Sequence, residues 1–136
     1  MQSNTSELEI QYANNPDIAP PAGHYSHVCV AAGLAHISGQ LPVNPSGQPL
    51  AGRPFAEQVA QVLNNLDGCL SSAGVTRANL VQVRVYVTDI ESWPEFNRLY
   101  AAWIGDYRPA RAVAGVSQLH YGVNVEVEAI ALAPEA

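Results

Sequence analysis

Arg111 is the first residue whose setting could do chemistry. It follows Arg108-Pro109-Ala110 and opens a run of alanine, valine and glycine. An arginine among small residues has room beside it for a ligand, and its guanidinium fork matches a carboxylate with two parallel hydrogen bonds. The competing assignment is an ion pair with Glu126 or Glu128 across neighbouring strands. Those two glutamates share a parity and therefore a face, where a partly desolvated carboxylate could act as a general base on water. A solvated or salt-bridged strand residue is the alternative for either. His24, His27, His36 and His120 have no metal-ligand spacing. Ser38-Gly39-Gln40 could be a strand end opening a binding turn, but no GxSxG motif or Ser/His/Asp order accompanies it.

The composition narrows the chemistry further. The 136 residues are 48% hydrophobic and 13% charged, where about a quarter charged is usual for a soluble domain. The chain is long enough for one domain with its own core. So little charge excludes a disordered chain and suits one that hides surface against copies of itself. Net charge is −6, and all six basic residues are arginines: Arg53, Arg77, Arg84, Arg98, Arg108 and Arg111. Without lysine there is no Schiff-base chemistry and no Walker P-loop. Without a basic stripe nucleic-acid binding is not expected. An isolated arginine in an acidic chain suits a small carboxylate. Cys29 and Cys69 fall in strand and helix segments, read as reduced thiols, with no zinc pattern. The N-terminus has neither a basic nor an apolar signal region, and no run reaches eighteen apolar residues, so the expectation is a cytoplasmic protein without a membrane segment.

Positioning these residues requires an α+β domain. Residues 1–20 read as an N-terminal extension carrying one short strand, Leu8 to Tyr12, and residues 21–136 as the domain proper. Ser26 to Ala31 and Leu34 to Gln40 form a hairpin about Ala32-Gly33. A loop from Pro42 to Pro54 follows, and Pro54 opens a helix with a stripe of Phe55, Val59, Val62, Leu63, Leu66 and Leu70, closed by Gly74. Val81, Val83, Val85 and Val87 alternate with polar residues as a strand. Ser92-Trp-Pro-Glu95 reads as a capping box starting a second helix through Phe96, Leu99, Tyr100 and Trp103. Strands are expected at about Ala110 to Gln118 and Val123 to Leu132. Two helices can cover only one face of such a sheet. Its other face mixes Tyr86, Glu126 and Ile130, which has the look of a homo-oligomer interface.

At several of these positions the chain resembles a known family. Ile37-Ser38-Gly39-Gln40-Leu41-Pro42-Val43-Asn44-Pro45, then Val85-Tyr86-Val87-Thr88-Asp89-Ile90 with Phe96-Asn97 and Tyr100, then Pro109-Ala110-Arg111 and Val125-Glu126-Val127-Glu128-Ala129-Ile130-Ala131, resemble the blocks of the RidA/YjgF reactive-intermediate deaminases, also labelled endoribonuclease L-PSP. The likeness runs from about Pro21 to Ala133. It implies a chorismate-mutase-like single domain of mixed sheet with two helices on one face, assembled as a homotrimer with clefts between subunits. It further implies that Arg111 grips the carboxylate of a 2-imino or enamine acid, while Glu126 positions or activates the water that yields a 2-keto acid and ammonia. Tyr25, Ser38, Gly39, Asn97 and Val113 match other positions lining the cleft, and no metal or organic cofactor is implied. The chain departs from the family pattern at Ala112-Val113, where Ser then Cys or Thr is usual, at Ala114, and at Leu119-His120-Tyr121-Gly122, which replaces a Leu-Pro turn. Two other readings accompany the deaminase: a pathway-specific enzyme for an aminomuconate-like dicarboxylic enamine, and a non-catalytic trimer that binds small carboxylates or a partner. Ribonuclease activity is disfavoured by the charge.

Overall fold

A computed structural model describes residues 9–134. Its strands are β1 (Gln11–Ala13), β2 (Val28–Ala31), β3 (Leu34–Gln40), β4 (Leu80–Val87), β5 (Ala110–Gly115) and β6 (Val125–Leu132), with helices α1 (Phe55–Ser72) and α2 (Trp93–Ile104). They form one sheet in the order β1-β2-β3-β6-β4-β5. Neighbours are antiparallel except β4 and β5, which run parallel because α2 crosses over between them.

Local sequence explains most of this. Ala32 and Gly33 take φ of 53° and 77°, the two positive values of a type I′ turn, so the hairpin closes with the twist its strands need. Gly74, at φ 74°, ends α1 where the apolar stripe stops. Val83, Val85 and Val87 of β4 and Val125, Val127, Ala129 and Ala131 of β6 are buried on the face that packs against the helices. Val59, Val62, Leu63, Leu66 and Leu70 of α1 and Phe96, Tyr100 and Ile104 of α2 complete this core. The helices thus leave the other sheet face open, and Tyr12, Leu34, Arg84, Tyr86, Glu126, Glu128, Ile130 and Leu132 project from it.

Three expectations are corrected. Val81 does not join the buried valines; it is 42% exposed, because a register shift between Leu80 and Gln82 turns Leu80 inward in its place. The capping box at Ser92 does not form. Ser92 is already in the helical conformation and its side chain caps nothing, while Asp89 accepts from the Glu91 N–H at the start of a short 3₁₀ turn leading into α2. The box geometry occurs at Thr76 to Asn79. The segment placed before the domain also takes part in the sheet: β1 pairs with β2, and Ile18 packs in the core against Gly68. Leu8, the expected start of that strand, lies outside the described residues. No helix among the described residues is long and apolar enough to cross a membrane.

Candidate active site

Glu126 stands on the open face of β6, opposite Tyr86 of β4. Between the pairs Ile37–Ala129 and Gln40–Val127, two residues of β3, Ser38 and Gly39, face the single residue Glu128. This bulge re-aims the strand and brings its backbone against the Glu126 carboxylate. A β-carbon on Gly39 would fall 2.0 Å from Glu126 Oε2, so only glycine leaves the carboxylate in place. Ser38 Oγ donates to Ser26 O at 2.7 Å, tying β3 to the segment that carries Tyr25. Tyr25 and Gly39 line one cavity of about 260 Å³. Burial foremost, then the nearby Glu128 carboxylate, push the Glu126 carboxyl above its ordinary value, with His120 opposing. Glu128 itself accepts a short hydrogen bond from the Tyr86 phenol, which leaves Glu126 as the carboxylate without a protein partner among the described residues.

Helix α1 holds both sides of this half-site. Gln58, fully buried, donates to Asn124 Oδ1 at 2.9 Å and accepts from the Asn124 N–H at 2.8 Å, just before β6 begins. Asn65, also buried, donates to Leu41 O and Val43 O, both at 3.0 Å, where β3 exits. Amides inside a helix stripe are well suited to this, since each stays satisfied when buried by bonding the loop groups packed over it.

Arg111 lies elsewhere. In β5 it pairs with Val83 and Val113 pairs with Val85, so both point to the helix-covered face, opposite to Glu126. Its Nη1 donates to Asn97 Oδ1 of α2 at 2.8 Å, and its guanidinium sits 5.0 Å from the centre of the Tyr100 ring. Among the described residues Arg111 forms no ion pair. The pairing with Glu126 or Glu128 weighed from the sequence is thereby excluded within one chain, because strand parity puts them on opposite faces. Asn97, Tyr100, Arg108 and Arg111 line a second, open hollow of about 430 Å³.

The expected residues therefore fall into two groups: Tyr25, Ser38, Gly39 and Glu126 on one side, Asn97, Arg111 and Val113 on the other. Tyr100, counted as a core residue from its spacing, also supplies the ring under Arg111. Its position three residues after Asn97 places both on one helix face, and that was the available signal. Tyr121 was missed as a cavity wall. His27 is structural: Nδ1 accepts from Asn15 N and Nε2 bonds Ala19 O. Cys29 and Cys69 are free thiols, and burial lifts Cys69 to about 12. No group of three or more His, Cys, Asp or Glu among the described residues could hold a metal ion.

Comparison with known proteins agrees with this fold. The family model described as endoribonuclease L-PSP matches residues 17–133. A RutC family protein of Aquifex aeolicus is 38% identical over 120 residues, covering 86% of this chain and 94% of that protein. A Rattus norvegicus protein named 2-iminobutanoate/2-iminopropanoate deaminase is 35% identical over 115 residues, 84% of each chain. The crystal structure of yeast Mmf1 superimposes with a TM-score of 0.88 at 30% identity, over 93% of this chain and all 100% of that one. By the family match over residues 17–133 and these relatives, this chain belongs to the RidA/YjgF family.

Proposed function

We propose that the protein hydrolyses 2-imino and 2-enamino acids to 2-keto acids and ammonia, in clefts completed between copies of a homotrimer. The observation that carries this reading is Arg111, a guanidinium oriented by Asn97 and Tyr100 with no carboxylate paired to it among the described residues. An arginine so placed awaits an external carboxylate. The relative named as an iminobutanoate/iminopropanoate deaminase gives the class of acid.

The chemistry asks little of the protein. Arg111 holds the substrate carboxylate and so fixes the C=N carbon. Glu126, desolvated against Gly39, takes a proton from water as the water oxygen bonds to that carbon, and returns it to the nitrogen. Glu126 then takes the carbinolamine's hydroxyl proton and passes it to the amino nitrogen, so that the C–N bond breaks, ammonia leaves and the hydroxyl oxygen becomes the keto oxygen. Imines hydrolyse readily in water, so positioning and one general base, worth about 10²–10⁴-fold, suffice. Val113 offers an apolar side chain where the family's usual residue is polar, so any contact it makes with substrate is by shape or main chain. Since Arg111 and Glu126 lie on opposite faces of one sheet, the two groups meet only if a second copy brings its β5 edge to the open face of the first. The apolar members of that face, Leu34, Ile130 and Leu132, give such a contact surface to bury.

The test uses an amino-acid oxidase to generate imines at neutral pH and semicarbazide to trap those that survive. The wild type should suppress trapping, and Arg111→Ala should lose at least about 10²-fold in kcat/KM. Equal suppression by both proteins would refute the reading. A carboxylate-dependent rise in Tm without turnover would favour a binding trimer instead.

A further inference from the structure

We infer that the cavity beside Glu126 is a side-chain pocket walled by Tyr121, and that it selects imino acids with large, uncharged, apolar or aromatic side chains. The inference rests on the deaminase reading and names its substrate class. Its observations come from the turn before β6. There Tyr121 takes φ 64° and ψ 8°, a left-handed conformation that a bulky residue adopts only under strain. Glycine follows at Gly122, so the chain had a residue for that conformation next door and still places an aromatic there. The Tyr121 ring lies 4.0 Å from the His120 ring, centre to centre, and lines the same 260 Å³ cavity as Tyr25 and Gly39. Gly39 is also the residue against which the Glu126 carboxylate rests. A substrate attacked at Glu126 would bring its reacting carbon to Gly39, the residue that the carboxylate and this cavity share.

The walls decide what can enter. Pro20, Pro21, Tyr25, Leu41, Val43 and Tyr121 present rings and aliphatic groups, while the Gln40 amide donates to Ser38 O and the Asn65 amide to Leu41 O and Val43 O. No arginine lines the cavity, and both ring nitrogens of His27 are engaged by Asn15 and Ala19. A second carboxylate would lose its hydration there with no cation to replace it. The dicarboxylic alternative is thus disfavoured for this pocket. The space of about 260 Å³ equals that of roughly nine liquid waters, far more than the methyl of an alanine-derived imine fills. Two tyrosines with few rotatable bonds make a preformed surface on which a phenyl or branched aliphatic group can pack.

The experiment measures kcat/KM for the imines of phenylalanine, leucine and alanine with wild type, Tyr121→Gly and Tyr121→Phe. Glycine suits the positive φ, so truncation removes the wall without straining the turn. The wild type should prefer the phenylalanine and leucine imines over the alanine imine by about tenfold or more. Tyr121→Gly should lower that ratio by about tenfold, and Tyr121→Phe should keep it. A wild type that favours the alanine imine, or a ratio unchanged in Tyr121→Gly, would overturn the inference while leaving the deaminase reading intact. Turnover of none of the three imines would overturn both.

Discussion

At the scale of single residues, Glu126 carries opposite consequences for activity and stability. Its carboxyl is held above the ordinary value of 4.5 by burial first and Glu128 second. A base must be ionised to act, so the acid limb of kcat/KM should lie above the usual carboxylate range. Glu126→Gln should cut kcat/KM by about 10²–10⁴-fold and abolish that limb. The stability effect has the reverse sign. A carboxyl with a folded value above its unfolded value binds its proton more tightly when folded. Its contribution is present at low pH and is lost as pH rises through the folded value. Glu126→Gln should therefore raise Tm at neutral pH and remove this part of the pH dependence, as calorimetry between pH 4 and pH 8 would show. A variant both slower and less stable at neutral pH would mean that the carboxylate is a structural ion and not a strained base. At this scale the sequence offered Arg111 and Glu126 as candidates, each with an ion pair or a solvated strand position as its alternative, and Asn97 came only from the resemblance to the family. Tyr121 was not, since nothing local says that a tyrosine will accept a positive φ to face a cavity.

At the scale of elements, α1 is what holds the Glu126 half-site together. Gln58 reaches Asn124 at the entrance to β6, and Asn65 reaches Leu41 and Val43 at the exit of β3. Cutting the first link by Gln58→Ala leaves the Asn124 amide and the Arg53 carbonyl short of partners and should cost about 2–3 kcal/mol. Denaturant unfolding should show this as a lower midpoint at an unchanged slope. A loss under about 0.5 kcal/mol would mean that water replaces the amide. The elements themselves were readable from period and punctuation: valine alternation for β4, Pro54 and Gly74 around α1, and Ala32-Gly33 for the hairpin. Gln58 and Asn65 were not, because a polar residue in an apolar stripe does not reveal which loop will need it. The bulge at Ser38-Gly39 and the shift at Leu80-Gln82 were hidden for a related reason. Register depends on the partner strand, which a one-dimensional pattern does not contain.

At the scale of the whole molecule, strand parity separates Arg111 from Glu126. Val83 opposite Arg111 and Tyr86 opposite Glu126 put the two on different faces of one sheet. The proposed homotrimer reconciles this with a single reaction, since each cleft would take Arg111 from one copy and Glu126 from the next. The sequence showed the open face but not this separation, which needs the pairing of β4 with both β5 and β6. The most direct measurement is complementation between two inactive variants. Arg111→Ala keeps an intact Glu126 side, and Glu126→Gln keeps an intact Arg111 side. Unfolded together in equal amounts and refolded, they should assemble at random. About one cleft in four then draws both working residues, and the mixture should recover about a quarter of wild-type turnover. No recovery above either variant alone, with mixed assemblies verified, would contradict a site shared between copies.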